Sequence, residues 1–193
     1  MKYSPILRNF ALAICLAGAL PAIAAAPQPG AIKQTSGTFK FRDYGAPLPA
    51  TWLSQPPSSS MRIAQYKVPA VRSAGEGELV VFYFGKGQGG PVDANIDRWT
   101  SQFTGNGGKP VKPTIVKFRV AGLAVTTVEL FGNYARGVGM GPQGAGKPNQ
   151  TLLVAVIETP EGNLTFQLHG GKETVDANRK AFEGLVKGFR KTA

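Results

Sequence analysis

Apolar and polar positions along this chain fall into short alternating runs, and the period changes to a helical one in two places. Thr38 to Arg42 and Met61 to Val68 alternate as strands do, while Glu78 to Phe84 is apolar on both sides, as suits a strand covered on two faces. Between them lies a Pro- and Ser-rich stretch around Trp52 and Ser58 to Ser60. The first period change follows: Val92, Ile96, Trp99 and Phe103 recur at steps of four, three and four, which predicts a helix with one narrow apolar stripe. Pro91 suits its first position, Asp93 suits the positive end of the helix dipole, and the glycines from Gly105 to Gly108 stop it.

Thr114 to Val120 alternates again, with Val116, Phe118 and Val120 expected inward and Ile115, Lys117 and Arg119 outward, and Leu123 to Phe131 reads as its hairpin mate. A glycine- and proline-rich stretch from Arg136 to Gln150 reads as a mobile loop. Thr151 to Ile157 is apolar on both faces, a turn at Thr159 to Gly162 follows, and Leu164 to Leu168 alternates. The second helical period runs from Thr174 to Arg190, where Val175, Phe182, Leu185, Val186 and Phe189 share one face. The order β-β-β-α-β-β-β-β-α, with hairpin-length connections, predicts an α+β domain: a largely antiparallel sheet packed with two main helices. Val92-Asp93-Ala94-Asn95 recurs as Val175-Asp176-Ala177-Asn178, and we read the echo as one solution to opening a helix after a glycine stop, not as a duplicated half-domain.

Ahead of these runs, Lys2 and Arg8 flank an apolar stretch from Phe10 to Leu20 that ends at Pro21 and small residues. That is the three-part pattern of a secretory signal, with a cut expected after Ala24. About a dozen apolar residues fall short of the roughly 20 that span a bilayer, so no transmembrane anchor is expected. The organisation is then a signal peptide over 1–24, a flexible tether over 25–37 and a single globular domain over 38–193. Export places the mature protein in the periplasm or outside the cell.

Cys15, the sole cysteine, would leave with the signal. The processed chain would have no disulfide, thiolate nucleophile or thiolate metal site. Removing Lys2 and Arg8 leaves 20 basic residues against 11 acidic ones, a net charge of +9. Such a surplus favours anionic partners, including lipid headgroups and acidic polysaccharide. The charges are scattered, with no polybasic run.

Gly85-Lys86-Gly87-Gln88-Gly89-Gly90 satisfies G-x-G-x-x-G between an apolar strand and a helix. A dinucleotide site also needs an acidic residue about 20 positions on, and that region is Gly105 to Lys109. What survives is a generic anion site, built from free N–H groups at the helix start with Lys86 beside them. His169 is the only histidine, so a Ser-His-Asp triad could run only through it, and no G-x-S-x-G elbow is present. It lies opposite Leu164, Phe166 and Leu168, at a strand end near solvent or under a loop. No metal-ligand spacing, calcium loop or paired-carboxylate cleft is evident, so no cofactor and no metal are expected. Aromatics beside cations, Tyr66-Lys67 and Lys117-Phe118-Arg119, read as core residues and not as a nucleic-acid platform. The sequons at Asn149 and Asn163 matter only in a eukaryotic host.

The stretch from Leu164 to Val175, followed by a helix carrying Phe182 and ending near Phe189, resembles the closing strand and helix of the Mog1/PsbP-like superfamily. Trp52 after a proline-rich opening strand, then Ser60-Met61-Arg62, is similar to that group's N-terminal half. The resemblance implies an α/β/α sandwich, with an antiparallel sheet between helices, in a group known for binding and assembly-accessory roles. It transfers no functional residue. A monomeric, non-catalytic exported binding domain is therefore the expected function, its partner an unknown protein or an anionic envelope ligand. An anion-binding surface protein and a cofactor-free enzyme using the Gly85–Gly90 loop with His169 are the alternatives.

Overall fold

A computed structural model of the chain describes residues 33–34, 37–135 and 146–192. The expected signal peptide, most of the expected tether and residues 136–145 of the expected Arg136–Gln150 loop lie outside these residues. The long alternating runs become the long strands. In chain order the elements are β1 (Lys33–Gln34), β2 (Gly37–Phe41), β3 (Tyr44–Leu48), β4 (Leu53–Gln55), β5 (Arg62–Val68), β6 (Gly77–Tyr83) and helix α1 (Val92–Thr100). Then come β7 (Phe103–Thr104), a single 3-10 turn at Asn106–Gly108, β8 (Thr114–Val120), β9 (Leu123–Tyr134), β10 (Lys147–Thr159), β11 (Gly162–Gly171), helix α2 (Lys172–Lys187) and β12 (Arg190–Lys191).

The main sheet has the order β1-β4-β5-β6-β11-β10-β9-β7, with β8 beside β7 on the outer edge of β9. A second, small sheet has the order β12-β3-β2. Every pairing is antiparallel, as the hairpin-length connections predict. The β8–β9 turn places Ala121 and Gly122 at φ 48° and 82°, the left-handed pair that a two-residue hairpin demands.

Alternation within the central strands sends one set of side chains to each face. On one face Leu79, Val81, Leu153, Ile157, Leu164, Phe166 and Leu168 meet Val175, Phe182, Leu185 and Val186 of α2, and the small sheet adds Phe39, Tyr44 and Ala46. On the other, Val128, Leu130, Leu152, Val154 and Val156 meet Ile96 and Trp99 of α1. Helices thus cover both faces of a largely antiparallel sheet, an α+β sandwich.

Several sequence expectations shift in detail. The stripe ending in Phe103 breaks at Ser101, whose N–H bonds Asp97 O at 2.9 Å, and Gln102 N–H closes a tighter turn to Trp99 O. Phe103 is still buried beside Ile96 and Trp99, but from strand β7, which pairs with Tyr134. The strand β3 is missed by periodicity because Gly45 and Pro47 interrupt it; β12 pairs only with Tyr44 and Gly45, leaving Pro47 where no outer ladder needs an N–H. Helix α2 starts at Lys172, so Asp176 lies in its second turn and Glu173 is the acid of the first. The echoed tetrapeptides therefore occupy different helix positions. Val116, expected inward, is 53 % exposed because α2 does not reach over β8.

Candidate binding face

Helix α1 has nine residues, about 14 Å of helix. That length covers β9 and β10, and among the described residues no helix lies above the same face of β5, β6 and β11. Alternation decides what this open half carries: Arg62 and Gln65 from β5, Val80 and Phe82 from β6, and Asn163, Thr165 and Gln167 from β11. In register across it, Gln65, Val80 and Gln167 form one row, and the flanking amides leave Val80 almost fully buried.

The row is pinned by side-chain hydrogen bonds. Arg62 Nη1 donates to Gln65 Oε1 at 3.0 Å and to Glu78 Oε1 at 3.2 Å, and Gln65 Nε2 donates to Glu78 Oε1 at 2.7 Å. Phe82 and Phe84 stack at 6.1 Å with ring planes 9° apart, and Phe84 is 41 % exposed.

The Gly85–Gly90 loop borders this half-face. Gly85, Gly87, Gly89 and Gly90 all have positive φ, and Gln88 N–H closes a turn on Gly85 O at 3.2 Å. Asn95 fixes the loop to the helix, since its Nδ2 donates to Gly89 O at 2.8 Å and to Pro91 O at 3.0 Å. The base of the loop rests on the β10–β11 turn, where a Cβ on Gly162 would stand 2.5 Å from Gly85 O.

Between loop, helix and strand lies a small cleft of about 60 Å³, floored by Phe82, Phe84 and Trp99 and rimmed by Gln88, Asn95, Arg98, Asn163, Thr165 and Gln167. Its cation is Arg98, hydrogen-bonded to Asn95 Oδ1. Lys86 is exposed on the loop and does not line the cleft. Of the expected site, then, Gln88, Gly89 and Gly90 border a cleft, while Gly85, Lys86 and Gly87 form the turn outside it. Sequence reading missed Arg98, Asn163, Thr165 and Gln167. Strict alternation across Leu164 to Leu168 was the signal available for Thr165 and Gln167.

His169 lies on the same strand but in another depression, with Gln55, Lys67, Glu76, Glu78, Lys147 and Gln150. Its ring packs 4.3 Å from that of Tyr134. Seven residues of extended strand separate it from Gly162, on the order of 20 Å, so the fold does not bring it to the glycine loop. Among the described residues no three His, Cys, Asp or Glu side chains converge as a metal site, and no helix is long and apolar enough to cross a membrane.

The clear pKa shifts lie elsewhere. Burial raises Tyr66. Hydrogen bonding to Glu129, opposed by burial and aided by Asp176, raises Arg179; its two nitrogens meet the Glu129 oxygens at 2.8 and 2.7 Å. Burial works to raise Asp176, but hydrogen bonds from Lys172 and Arg179 outweigh it and hold the carboxyl below the ordinary carboxylate range.

Comparison with solved structures places this architecture. The cyanobacterial PsbP protein CyanoP from Synechocystis superposes with a TM-score of 0.51 at 13% identity, over 87% of this chain and 99% of that one. The fold is PsbP-like. A Pseudomonas aeruginosa protein of unknown function, PA94, is also similar, with a TM-score of 0.49 and 15% identity over 78% of this chain and 93% of that one. No protein-family model matches the chain, and neither does any curated protein. The PsbP-like sandwich accounts for the antiparallel sheet between helices; the open half-face and its cleft are described by this chain's own residues.

Proposed function

We propose that this chain is an exported, non-catalytic binding or assembly-accessory domain, monomeric, whose ligand face is the open half of the sheet beside the Gly85–Gly90 loop. The observation that carries the reading is a cleft with an aromatic floor and an amide rim, opening onto a sheet half that no helix of the described residues covers. Amides and hydroxyls held in place by the backbone ladder bind polar ligands at little ordering cost, and aromatic rings supply an apolar platform. The signal-like first 24 residues support export, and the Mog1/PsbP-like fold is compatible with the reading.

Arg98 favours an anionic ligand of the envelope, a lipid headgroup or an acidic glycan, because its described polar partner is neutral Asn95. The +9 charge of the processed chain acts in the same direction. The tests are equilibrium binding to heparin, to phosphatidylglycerol vesicles and to neutral phosphatidylcholine vesicles, at low and high salt. We expect heparin or anionic vesicles to bind, binding to weaken with salt, and Arg98→Glu to weaken it about tenfold. Lys86→Glu reports whether the loop cation shares the contact. Absence of binding to every anionic probe, or binding indifferent to Arg98→Glu, removes the anion reading. Export is tested separately by N-terminal sequencing of the periplasmic or secreted protein, expected to begin at Ala25.

A further inference from the structure

We propose that the outer edge of β8 is a docking strand for an extended, acidic segment of a partner protein. The strand pairs with β9 along one side, and among the described residues no strand pairs with its other side. An unpaired edge presents N–H and C=O groups to any chain that can align with it.

Charge selects the chain. From Lys109 to Val128 the sequence holds Lys109, Lys112, Lys117 and Arg119 and no acidic residue. Lys109, Lys112, Lys117 and Arg119 are exposed, and none joins the ion pairs of the described residues. Asp93 and Glu158 line the same depression as Lys117 and Arg119 but stand outside ion-pair distance. The edge is therefore cationic, and unpaired among the described residues.

Shape selects the pattern. Val116 and Phe118 face a largely apolar groove of about 380 Å³ between β8 and α2, walled by Phe182 and Val186. A strand added to β8 sends alternate side chains to opposite faces, one set into this groove and the other beside Lys117 and Arg119. A segment of about seven residues alternating apolar and acidic side chains satisfies both. A second copy does not, since antiparallel β8–β8 pairing sets the Lys117 and Arg119 of one chain against those of the other. The inference goes beyond the open-face reading and stands independently of it, because Arg98 and the glycine loop line neither depression.

The probe is an acetylated seven-residue peptide alternating Glu and Val. Controls are a peptide of the same composition with Glu and Val in two blocks, and one with Lys in place of Glu. Amide hydrogen exchange over Thr114 to Val120 and binding affinity are measured on the purified protein. The alternating acidic peptide should slow exchange in β8, and Lys117→Glu combined with Arg119→Glu should weaken it about tenfold. Arg98→Glu, the open-face variant, should leave it unchanged. All these positions are exposed; should the double variant lose its thermal transition, Val116→Asp provides the second test, with the same loss of binding expected. No slowing, equal slowing by the block peptide, salt-sensitive binding without slowing, or dimerisation through β8 each overturns the proposal.

Discussion

Trp52 ties the first third of the chain to its last helix: fully buried, it donates its indole N–H to Asn178 Oδ1 at 2.9 Å, while Asn178 Nδ2 returns a bond to Thr174 O at 2.8 Å. Trp52→Phe keeps an aromatic ring but leaves that oxygen unpaired and a void where the rest of the indole stood, so we expect a loss of about 2–4 kcal/mol, read as a lower urea midpoint at unchanged slope. Gly162 makes a different demand, with φ 131° and no room for a Cβ against Gly85 O. Gly162→Ala should cost about 2 kcal/mol, or roughly 5 °C in melting temperature, and should displace the base of the glycine loop. At this scale the sequence was half legible. The glycine loop announced itself by composition, but its cation could not, because Arg98 reaches the cleft from a helix face that periodicity marks as solvent.

At the scale of elements, length governed what could be read. The long strands and both helices carry enough positions to show a period, whereas β1, β4, β7 and β12 have two or three residues each and show none. Lys33–Gln34, inside the expected tether, pairs with Leu53 and Ser54 for this reason unannounced. Helix α2 is fastened to β9 by Arg179 and Glu129, with Asp176 and Lys172 extending the network. Because the folded Asp176 carboxyl sits below its unfolded value of roughly 3.9, its contribution is complete above that pH and disappears as pH falls through the folded value. The group is about one-third exposed, which keeps the contribution under about 1 kcal/mol. Asp176→Asn should therefore lower stability at pH 7 and do so less at pH 3, as compared by urea unfolding at the two pH values; an equal loss at both would sink the assignment.

For the whole molecule, the sheet is the element that both cores share, and the uneven reach of the two helices over it creates both the open half-face and the groove beside β8. Alternation in the sequence foretold that two faces would be apolar. It could not foretell where cover would end, since that depends on a nine-residue helix meeting a sheet far wider than itself. The main core recruits side chains from Phe39 through Phe189, and Thr192 N–H bonds Asp43 O at 2.6 Å. A ribosome holding back a few dozen residues of this polypeptide would thus withhold the wall against which the sheet closes. Closure of the main core therefore waits until the final helix has left the exit tunnel.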